Sequence, residues 1–206
     1  SMISDDSFYM EMKKDYAPEM VTAFIRLNGA TVGCVANRSE VYTDGEKTAT
    51  YDAALTAAGC EKAAAFVNFC NAFEIPVLTL VNVDGYKNCK CNEKKIAKAA
   101  ARLTYAFANA DVPKVTVVVG KANGTAGLTM NSKSIGSDIV YAWKNAKIGV
   151  MEAAPAVKIM YADEIAKADN AAALINEKAA QYNEMQASAL AAAKRGYVLS
   201  LIHISE

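Results

Sequence analysis

Residues 114–134, KVTVVVGKANGTAGLTMNSKS, contain the pattern in this chain that most directly suggests chemistry. Gly124 and Gly127 flank Thr125 and Ala126, and the valines before them are typical of a strand buried on both faces. A strand that leads through a glycine-rich turn into a helix directs several unpaired backbone N–H groups at one point. Such a point stabilises an anion, either a phosphate or the oxyanion that forms when a carbonyl is attacked.

The elements that position this turn are a strand over residues 115–119, ended by Gly120, and a short helix that includes Leu128 and Met130. Apolar runs predict further strands over residues 21–27, 31–36, 77–83, 139–143 and 147–151. Helical spacing or composition predicts helices over residues 57–73, 92–110 and 153–162, and one long helix or a pair over 163–194. Strands that alternate with helices predict a layered α/β fold.

Local signals add detail to this outline. Asn28-Gly29 is a strong two-residue hairpin signal between the first two strands. Asn92 is a plausible cap for the helix that follows it, and Glu93 suits the first-turn dipole of that helix. Residues 37–50 are polar and without periodicity, so we interpret them as a surface loop.

Other reactive side chains exclude several kinds of chemistry. His203, the only histidine, stands near the end of the chain, which disfavours Ser-His-Asp and Cys-His hydrolases. Cys89 and Cys91 form a C-x-C pair with no further ligands at zinc spacing, so we expect free, unmetallated thiols on a loop. Lys121 and Lys133 are able to pair with phosphates or carboxylates, although solvated lysines are commoner.

The composition of the 206-residue chain restricts its partners. Lys and Arg number 22, as do Asp and Glu, so nothing suggests nucleic acid or a charged membrane surface as a partner. No apolar run has the length of a membrane span and no signal peptide is recognisable, so we expect no membrane insertion. Five cysteines, mostly in apolar contexts, are explained most simply as reduced thiols in a cytoplasmic protein.

The stretch from Lys121 to Lys133 has the pattern K-A-x-G-x-A-x-x-x-M-x-S-K. This pattern resembles the second-domain motif of the biotin-dependent carboxyltransferases, the acyl-CoA carboxylase and decarboxylase family. Further segments resemble the family in the same order: IRLNG (25–29), VGCVAN (32–37), KAAAFV (62–67), IPVLTLV (75–81), VPKVTV (112–117) and DIVYAW (138–143). The resemblance covers residues 3–198, which we expect to form a carboxyltransferase C-terminal domain.

The resemblance implies a crotonase-like fold, the ClpP/crotonase superhelix of ββα units. It also implies carboxyl transfer between biotin and an acyl-CoA of the acetyl- or propionyl-CoA class. In this chemistry carboxybiotin releases CO2 and the biotin nitrogen takes the substrate proton, so no side-chain base is needed. The implied partners are a biotin carboxyl carrier protein or domain, an acyl-CoA, an N-terminal carboxyltransferase domain and further copies of this chain. Without the N-terminal domain, this chain is expected to be inactive.

The resemblance also assigns residues to a site. The backbone N–H groups of Thr125 and Ala126 would form an oxyanion hole for the biotin ureido oxygen. The implied biotin-binding residues are Gly124, Gly127, Gly85 and Tyr86, although Gly85-Tyr86 also suits an ordinary turn. The family more often has glycine at Thr125 and aromatic residues at Asn123 and Gly127, so the shape of the pocket is expected to differ.

Two alternatives and one anomaly remain at this point. The same motifs fit the α-subunit of a biotin-dependent decarboxylase, and a crotonase-fold scaffold that only dimerises is a different class of function. After Gly196-Tyr197-Val198, residues 199–206 depart from the family's usual continuation. We interpret this tail as translated read-through of a sequencing or cloning artefact.

Overall fold

The structure, a computed structural model, describes residues 3–43, 45–168 and 170–202. His203 and the rest of the tail beyond it lie outside the described residues. The strands are β1 (Tyr9–Glu11), β2 (Met20–Leu27), β3 (Ala30–Asn37), β4 (Glu40–Thr43), β5 (Glu46–Thr50), β6 (Ala54–Leu55), β7 (Val77–Val83), β8 (Gly85–Tyr86), β9 (Lys114–Asn123), β10 (Ile139–Trp143), β11 (Lys147–Gly149) and β12 (Ser200–Ile202). The helices are α1 (Ala57–Ala72), α2 (Lys90–Glu93), α3 (Ile96–Asn109), α4 (Gly124–Thr129), α5 (Ala153–Met160), α6 (Ala162–Lys167), α7 (Ala171–Tyr182) and α8 (Ala189–Lys194).

The main sheet has the strand order β1-β2-β3-β7-β9-β10-β12, and β11 pairs with the far end of β9. The first three strands are antiparallel, whereas β3, β7, β9, β10 and β12 run parallel. Val77, Val81 and Val118 in the central pair are buried, which explains the apolar runs of both strands. Because β7 and β9 are parallel, their carboxyl ends meet at one edge of the sheet.

The core lies between this sheet and the pair of helices α1 and α3. Cys60 and Val67 of α1, with Leu103 and Phe107 of α3, have no exposed surface and join the strand residues in one cluster. The helices contact each other along their length. The predicted hairpin between β2 and β3 is confirmed, with Asn28 and Gly29 both at positive φ as a primed two-residue turn requires.

The prediction that Gly120 ends the strand is wrong, because β9 continues to Asn123. A Cβ at Gly120 would lie 2.3 Å from Oδ1 of Asn82, so the glycine makes room for that side chain. Asn82 Oδ1 accepts a hydrogen bond of 3.0 Å from the Lys121 amide, beside the register shift between β7 and β9. The strand therefore carries its last residues past the glycine to the start of α4.

Three further predictions need correction. Residues 37–50 are not only a loop, since β4 and β5 form a separate exposed hairpin. The helix predicted over 92–110 is divided into α2 and α3, because Asn92 does not cap it. Its Oδ1 instead accepts from the Ala57 amide at 2.7 Å, at the start of α1. Cys91 lies in the single turn of α2, because the amides of Asn92 and Glu93 both donate to the Cys89 carbonyl.

The last described residues also join the sheet. Ser200–Ile202 pairs in parallel with β10, opposite Tyr141–Trp143. The region predicted as one long helix or a pair is a series of shorter helices, with a π-helical turn at Asn183–Ala187 between α7 and α8. Among the described residues, no helix has both the length and the apolar character needed to cross a membrane.

Candidate active site

The junction of β9 and α4 holds the predicted oxyanion turn. Gly124 begins α4 with φ +58°, and an added Cβ there would lie 3.0 Å from the Val150 carbonyl oxygen. Thr125 and Ala126 follow within the first helical turn, where backbone N–H groups have no carbonyl of their own helix to bind. In the described part of the chain, neither amide donates to any other backbone or side-chain acceptor.

These amides border an open cleft of about 360 Å³. The residues that line the cleft are Asp84, Gly85, Tyr86, Asn123, Gly124, Thr125, Ala126, Val150, Met151, Glu152 and Pro155. Five of the six predicted site residues are therefore brought together, although β8 and α4 are far apart in sequence. Glu152 and its neighbours complete the wall opposite β8.

Tyr86 is held in place from both sides. β8 pairs in parallel with β6, so that Tyr86 lies opposite Leu55. The Tyr86 hydroxyl lies 3.2 Å from Oγ1 of Thr129. The Thr129 hydroxyl in turn donates to the Thr125 carbonyl at 2.9 Å. The ring of Tyr86 is therefore tied to the same helical turn that presents the free amides.

A network of charged and polar side chains forms the rim of the cleft. Nζ of Lys121 lies 3.0 Å from Oδ2 of Asp84 and also contacts Oε1 of Glu152. Nδ2 of Asn123 donates to Oδ1 of Asp84 at 2.6 Å. Partial burial raises the pKa of Asp84, but the hydrogen bonds from Asn123 and Lys121 outweigh it, so the pKa lies below its ordinary value. The lowered pKa favours the ionised carboxylate, and both of its oxygens have partners, Asn123 and Lys121.

Sequence reasoning missed this network. Asp84 and Lys121 are 37 residues apart, and neither carries a motif that predicts the other. The contact depends on the sheet topology. Val83 of β7 pairs with Ala122 of β9, and the residues at the carboxyl ends of these two parallel strands meet at one edge of the sheet. Of the two partners that the sequence allows for Lys121, phosphates and carboxylates, the structure shows carboxylates.

Gly127 has a different position from the other predicted residues. It faces away from the cleft, and an added Cβ would lie 2.7 Å from the carbonyl carbon of Ala122. The glycine therefore allows α4 to pack directly on the end of β9. It lines a second, largely apolar cavity of about 560 Å³ between α4 and the region of α8. This second cavity is larger than the cleft, and Gly124 and Thr125 line both, whereas Ala126 lines the cleft.

The five cysteines differ in burial. Cys34, Cys60 and Cys70 are buried, Cys89 is half-buried and Cys91 is exposed, and none forms a disulfide. Within the described residues, no group of three or more His, Cys, Asp or Glu side chains is arranged to hold a metal ion.

The family model of the carboxyl transferase domain matches residues 1–206, the whole of the chain. The chain belongs to the carboxyltransferase family. It is 39% identical over 201 residues to the methylmalonyl-CoA carboxyltransferase 12S subunit of Propionibacterium freudenreichii subsp. shermanii, covering 97% of this chain and 37% of that subunit. It is 37% identical over 207 residues to the methylmalonyl-CoA decarboxylase subunit alpha of Propionigenium modestum, again covering 97% and 37%.

Solved structures give the same result for the carboxyltransferase fold. The transcarboxylase 12S structure with hydrolysed methylmalonyl-coenzyme A bound matches with a TM-score of 0.88 and 40% identity, covering 98% of this chain and 37% of that one. The beta subunit of geranyl-CoA carboxylase from P. aeruginosa matches with a TM-score of 0.80 and 26% identity, covering 97% and 36%. The crotonase-like α/β fold is therefore confirmed. The chain spans little more than a third of the relatives it matches.

Proposed function

We propose that this chain is the carboxybiotin-binding half of an acyl-CoA carboxyltransferase that uses propionyl- or methylmalonyl-CoA. The observation that carries the proposal is the pair of unpaired amides, Thr125 and Ala126, at the wall of the cleft. Two backbone donors aimed at one point suit an oxygen that gains negative charge, whereas they offer nothing to a protein that only dimerises.

The cleft suits the ureido ring of biotin, a planar group with one carbonyl acceptor and an apolar neighbour. The amides supply donors, while Val150, Met151 and Pro155 supply apolar surface in the same cleft. Tyr86 adds a ring that is fixed by its contact with Thr129. When bound, biotin supplies the carboxyl group and a ureido nitrogen that exchanges it.

The contribution of the protein residues is position and electrostatics. The amides of Thr125 and Ala126 stabilise charge on the ureido oxygen, and one such donor typically contributes about 100- to 1,000-fold in rate. The ion pairs of Lys121 hold the segments that contain Asp84 and Glu152 together across the rim. Both carboxylates are therefore engaged with a cation, which favours donor-only recognition over side-chain base catalysis.

The relatives support the choice of acyl-CoA class. The carboxyltransferase and decarboxylase subunits named above, at 39% and 37% identity, are named for methylmalonyl-CoA, whereas the geranyl-CoA carboxylase subunit is only 26% identical. A propionyl-CoA carboxylase beta chain from Saccharopolyspora erythraea is 40% identical over 203 residues, covering 96% of this chain and 36% of that one. None of these names concerns acetyl-CoA, so we place that substrate second. The decarboxylase subunit is nearly as similar as the carboxyltransferase, 37% against 39%, so decarboxylation by the same site is the alternative direction.

The proposed partners are a biotin carrier, an N-terminal carboxyltransferase half that brings the acyl-CoA, and further copies of this chain. The cleft is open on one side, where Val150 is 74% exposed. Tyr105 on α3 and Ile159 on α5 are 68% and 70% exposed, which supports self-association through these two alanine-rich helices. The free thiols support a cytoplasmic location.

The first prediction tests this division of labour. The purified chain is assayed for carboxyl transfer from a carboxylated biotin carrier to propionyl-CoA and acetyl-CoA, alone and with the N-terminal half of a relative. We expect no turnover by the chain alone and turnover on mixing, because each half supplies one oxyanion site and one substrate. Sedimentation of the same mixture measures whether the halves associate. Robust turnover by the chain alone would refute the half-site proposal.

A variant of the cleft makes the test specific. Gly85 has open space at its Cβ and no positive φ, so Gly85→Phe should fold while its ring fills the cleft. We expect at least about tenfold lower turnover in the mixture. Ala72→Phe, at an exposed position in the last turn of α1 and outside both the cleft and the proposed self-association surface, is the matched control and should keep full turnover. Halves that co-sediment without any turnover would favour the scaffold instead.

A further inference from the structure

Cys89 and Cys91 lie closer together than two unrelated thiols do. Their sulfur atoms are 2.8 Å apart, and a disulfide has its sulfurs about 2.05 Å apart, so a closure of only about 0.8 Å separates the two states. The short helix α2 fixes this geometry, because the Cys89 carbonyl accepts from the amides of Asn92 and Glu93 at 2.9 and 3.0 Å. Asn92 in turn binds the Ala57 amide, which ties the turn to α1.

Small molecules have access to this pair. Cys91 is exposed, Cys89 is half-buried, and both line a cavity of about 350 Å³ beside Lys87 and Asp52. The location is also close to the candidate active site, because Cys89 follows Tyr86 of the cleft by three residues. A modification at this pair therefore occurs on the same connection that forms one wall of the cleft.

The other three cysteines differ from the pair in their surroundings. Burial raises the pKa of Cys34 to about 11 and the pKa values of Cys60 and Cys70 to about 12, so their thiols stay protonated. The hydrogen bond from the Cys91 thiol, followed by the Asn92 amide, lowers the pKa of Cys89. The same pairing raises the pKa of Cys91, so Cys89 is the more acidic thiol of the two.

We propose that Cys89 and Cys91 form a redox-active dithiol, which closes reversibly into an intramolecular disulfide in exchange with a small-molecule disulfide such as glutathione disulfide. The Cys89 thiolate attacks one sulfur of the oxidant and releases the first glutathione thiolate. Cys91 loses its proton to water and attacks Cys89 Sγ, which releases the second. The two cysteines lose two electrons, and the oxidant becomes two thiols after protonation by solvent.

This inference does not depend on the proposed carboxyl transfer. It rests on the sulfur separation, the access from solvent and the contrast with the buried cysteines. A structural zinc site is a poor alternative, because a third and fourth ligand are missing among the described residues. The proposed product is transient, as disulfides in reducing compartments usually are.

The test exposes the purified chain to glutathione and glutathione disulfide at increasing oxidant fraction. Remaining thiols are trapped with N-ethylmaleimide, and the peptide that contains residues 88–93 is weighed by mass spectrometry. We expect a peptide that is two hydrogen atoms lighter than the dithiol form and carries no maleimide. Treatment with dithiothreitol should convert this peptide back to the dithiol. A pair that still reacts with maleimide at every oxidant fraction would overturn the proposal, and so would a chain-to-chain disulfide.

Variants assign the two roles. Cys91→Ser should accumulate glutathione on Cys89, because the resolving thiol is absent. Cys89→Ser should react about tenfold more slowly, because Cys91 is the less acidic thiol. Cys34→Ser is the control and should oxidise like the wild type. In urea, closure should need about tenfold more oxidant, and equal closure in the unfolded chain would contradict a role for the folded geometry.

Discussion

Each end of β9 has a lysine beside the terminus of a helix, but the lysine is buried at the first end and lies at the surface at the second. At its start, Lys114 is 5% exposed and its Nζ donates to the carbonyls of Phe107 and Ala110 at 2.8 and 2.6 Å. Its backbone amide donates to Oδ2 of Asp138 at 2.7 Å. At the other end, Lys121 binds Asp84 and Glu152 at the surface, and the first amides of α4 remain unpaired.

The two ends differ in whether the backbone groups at the neighbouring helix terminus already have a hydrogen-bond partner within the chain. At the carboxyl end of α3, the buried Lys114 side chain donates to two of the carbonyls that the helix leaves without a partner of its own, those of Phe107 and Ala110. The amino end of α4 is open towards the cleft, and the lysine beside it binds carboxylates instead. Stability is therefore concentrated at the first end of the strand and binding capacity at the second.

The largest effect is expected for Lys114→Met. The variant keeps the apolar stem but leaves two buried carbonyls without a donor, a loss offset in part because a buried charge is also removed. We expect the free energy of unfolding to fall by about 2–4 kcal/mol. Urea denaturation followed by circular dichroism measures this change.

Lys121→Met is the matched control for that variant. Its side chain is 33% exposed and its partners are also solvated, so we expect a loss of less than about 1 kcal/mol. Equal losses for the two variants would mean that the ends of β9 do not differ in the way described.

A smaller effect is expected for Gly124→Ala. The φ of +58° costs a residue with Cβ about 1–2 kcal/mol, and the new methyl group would press on the Val150 carbonyl at 3.0 Å. Gly85→Ala is the control, because Gly85 has no positive φ and open space, and it should change stability by less than about 0.5 kcal/mol. Thermal unfolding of both variants tests whether the open helix terminus requires its glycine.

Much of the fold followed from the sequence where one physical signal dominated. The strands over residues 77–83 and 139–143 were predicted with the bounds that β7 and β10 have, because each is an almost uninterrupted apolar run. The exposed hairpin of β4 and β5 escaped prediction because neither strand has a buried face to impose alternation. The separation of α2 from α3 was missed because the Asn92 side chain binds the amide of Ala57, 35 residues away, instead of capping a helix over 92–110.

The candidate site divides in the same way. Local chemistry predicted an anion-binding turn at Thr125 and Ala126, because glycine spacing after a strand is readable in one segment. The assignment of Gly85 and Tyr86 to the same cleft came only from the family resemblance. The contact of Asp84 with Lys121 depends on how two distant strands are paired, which no local pattern encodes.

The smallest effect is expected for Asp84→Asn, measured as a change with pH. Hydrogen bonds from Asn123 and Lys121 hold the pKa of Asp84 below its ordinary value of 3.8. A lowered pKa contributes stability that is present in full above 3.8 and is lost as the pH falls through the folded value. The carboxylate is 34% exposed, so screening keeps the contribution under about 1 kcal/mol.

Wild type and Asp84→Asn should therefore differ in urea midpoint at pH 7 and converge at low pH, once the pH has fallen through the lowered pKa of Asp84 and the native carboxylate is protonated. Because many other groups titrate in this range, the informative quantity is the difference between the two proteins at each pH. In a Lys121→Met background the difference at pH 7 should shrink, since the two residues are coupled. A difference that is the same at both pH values, or unaffected by Lys121, would assign the rim of the cleft a role in packing instead of electrostatics.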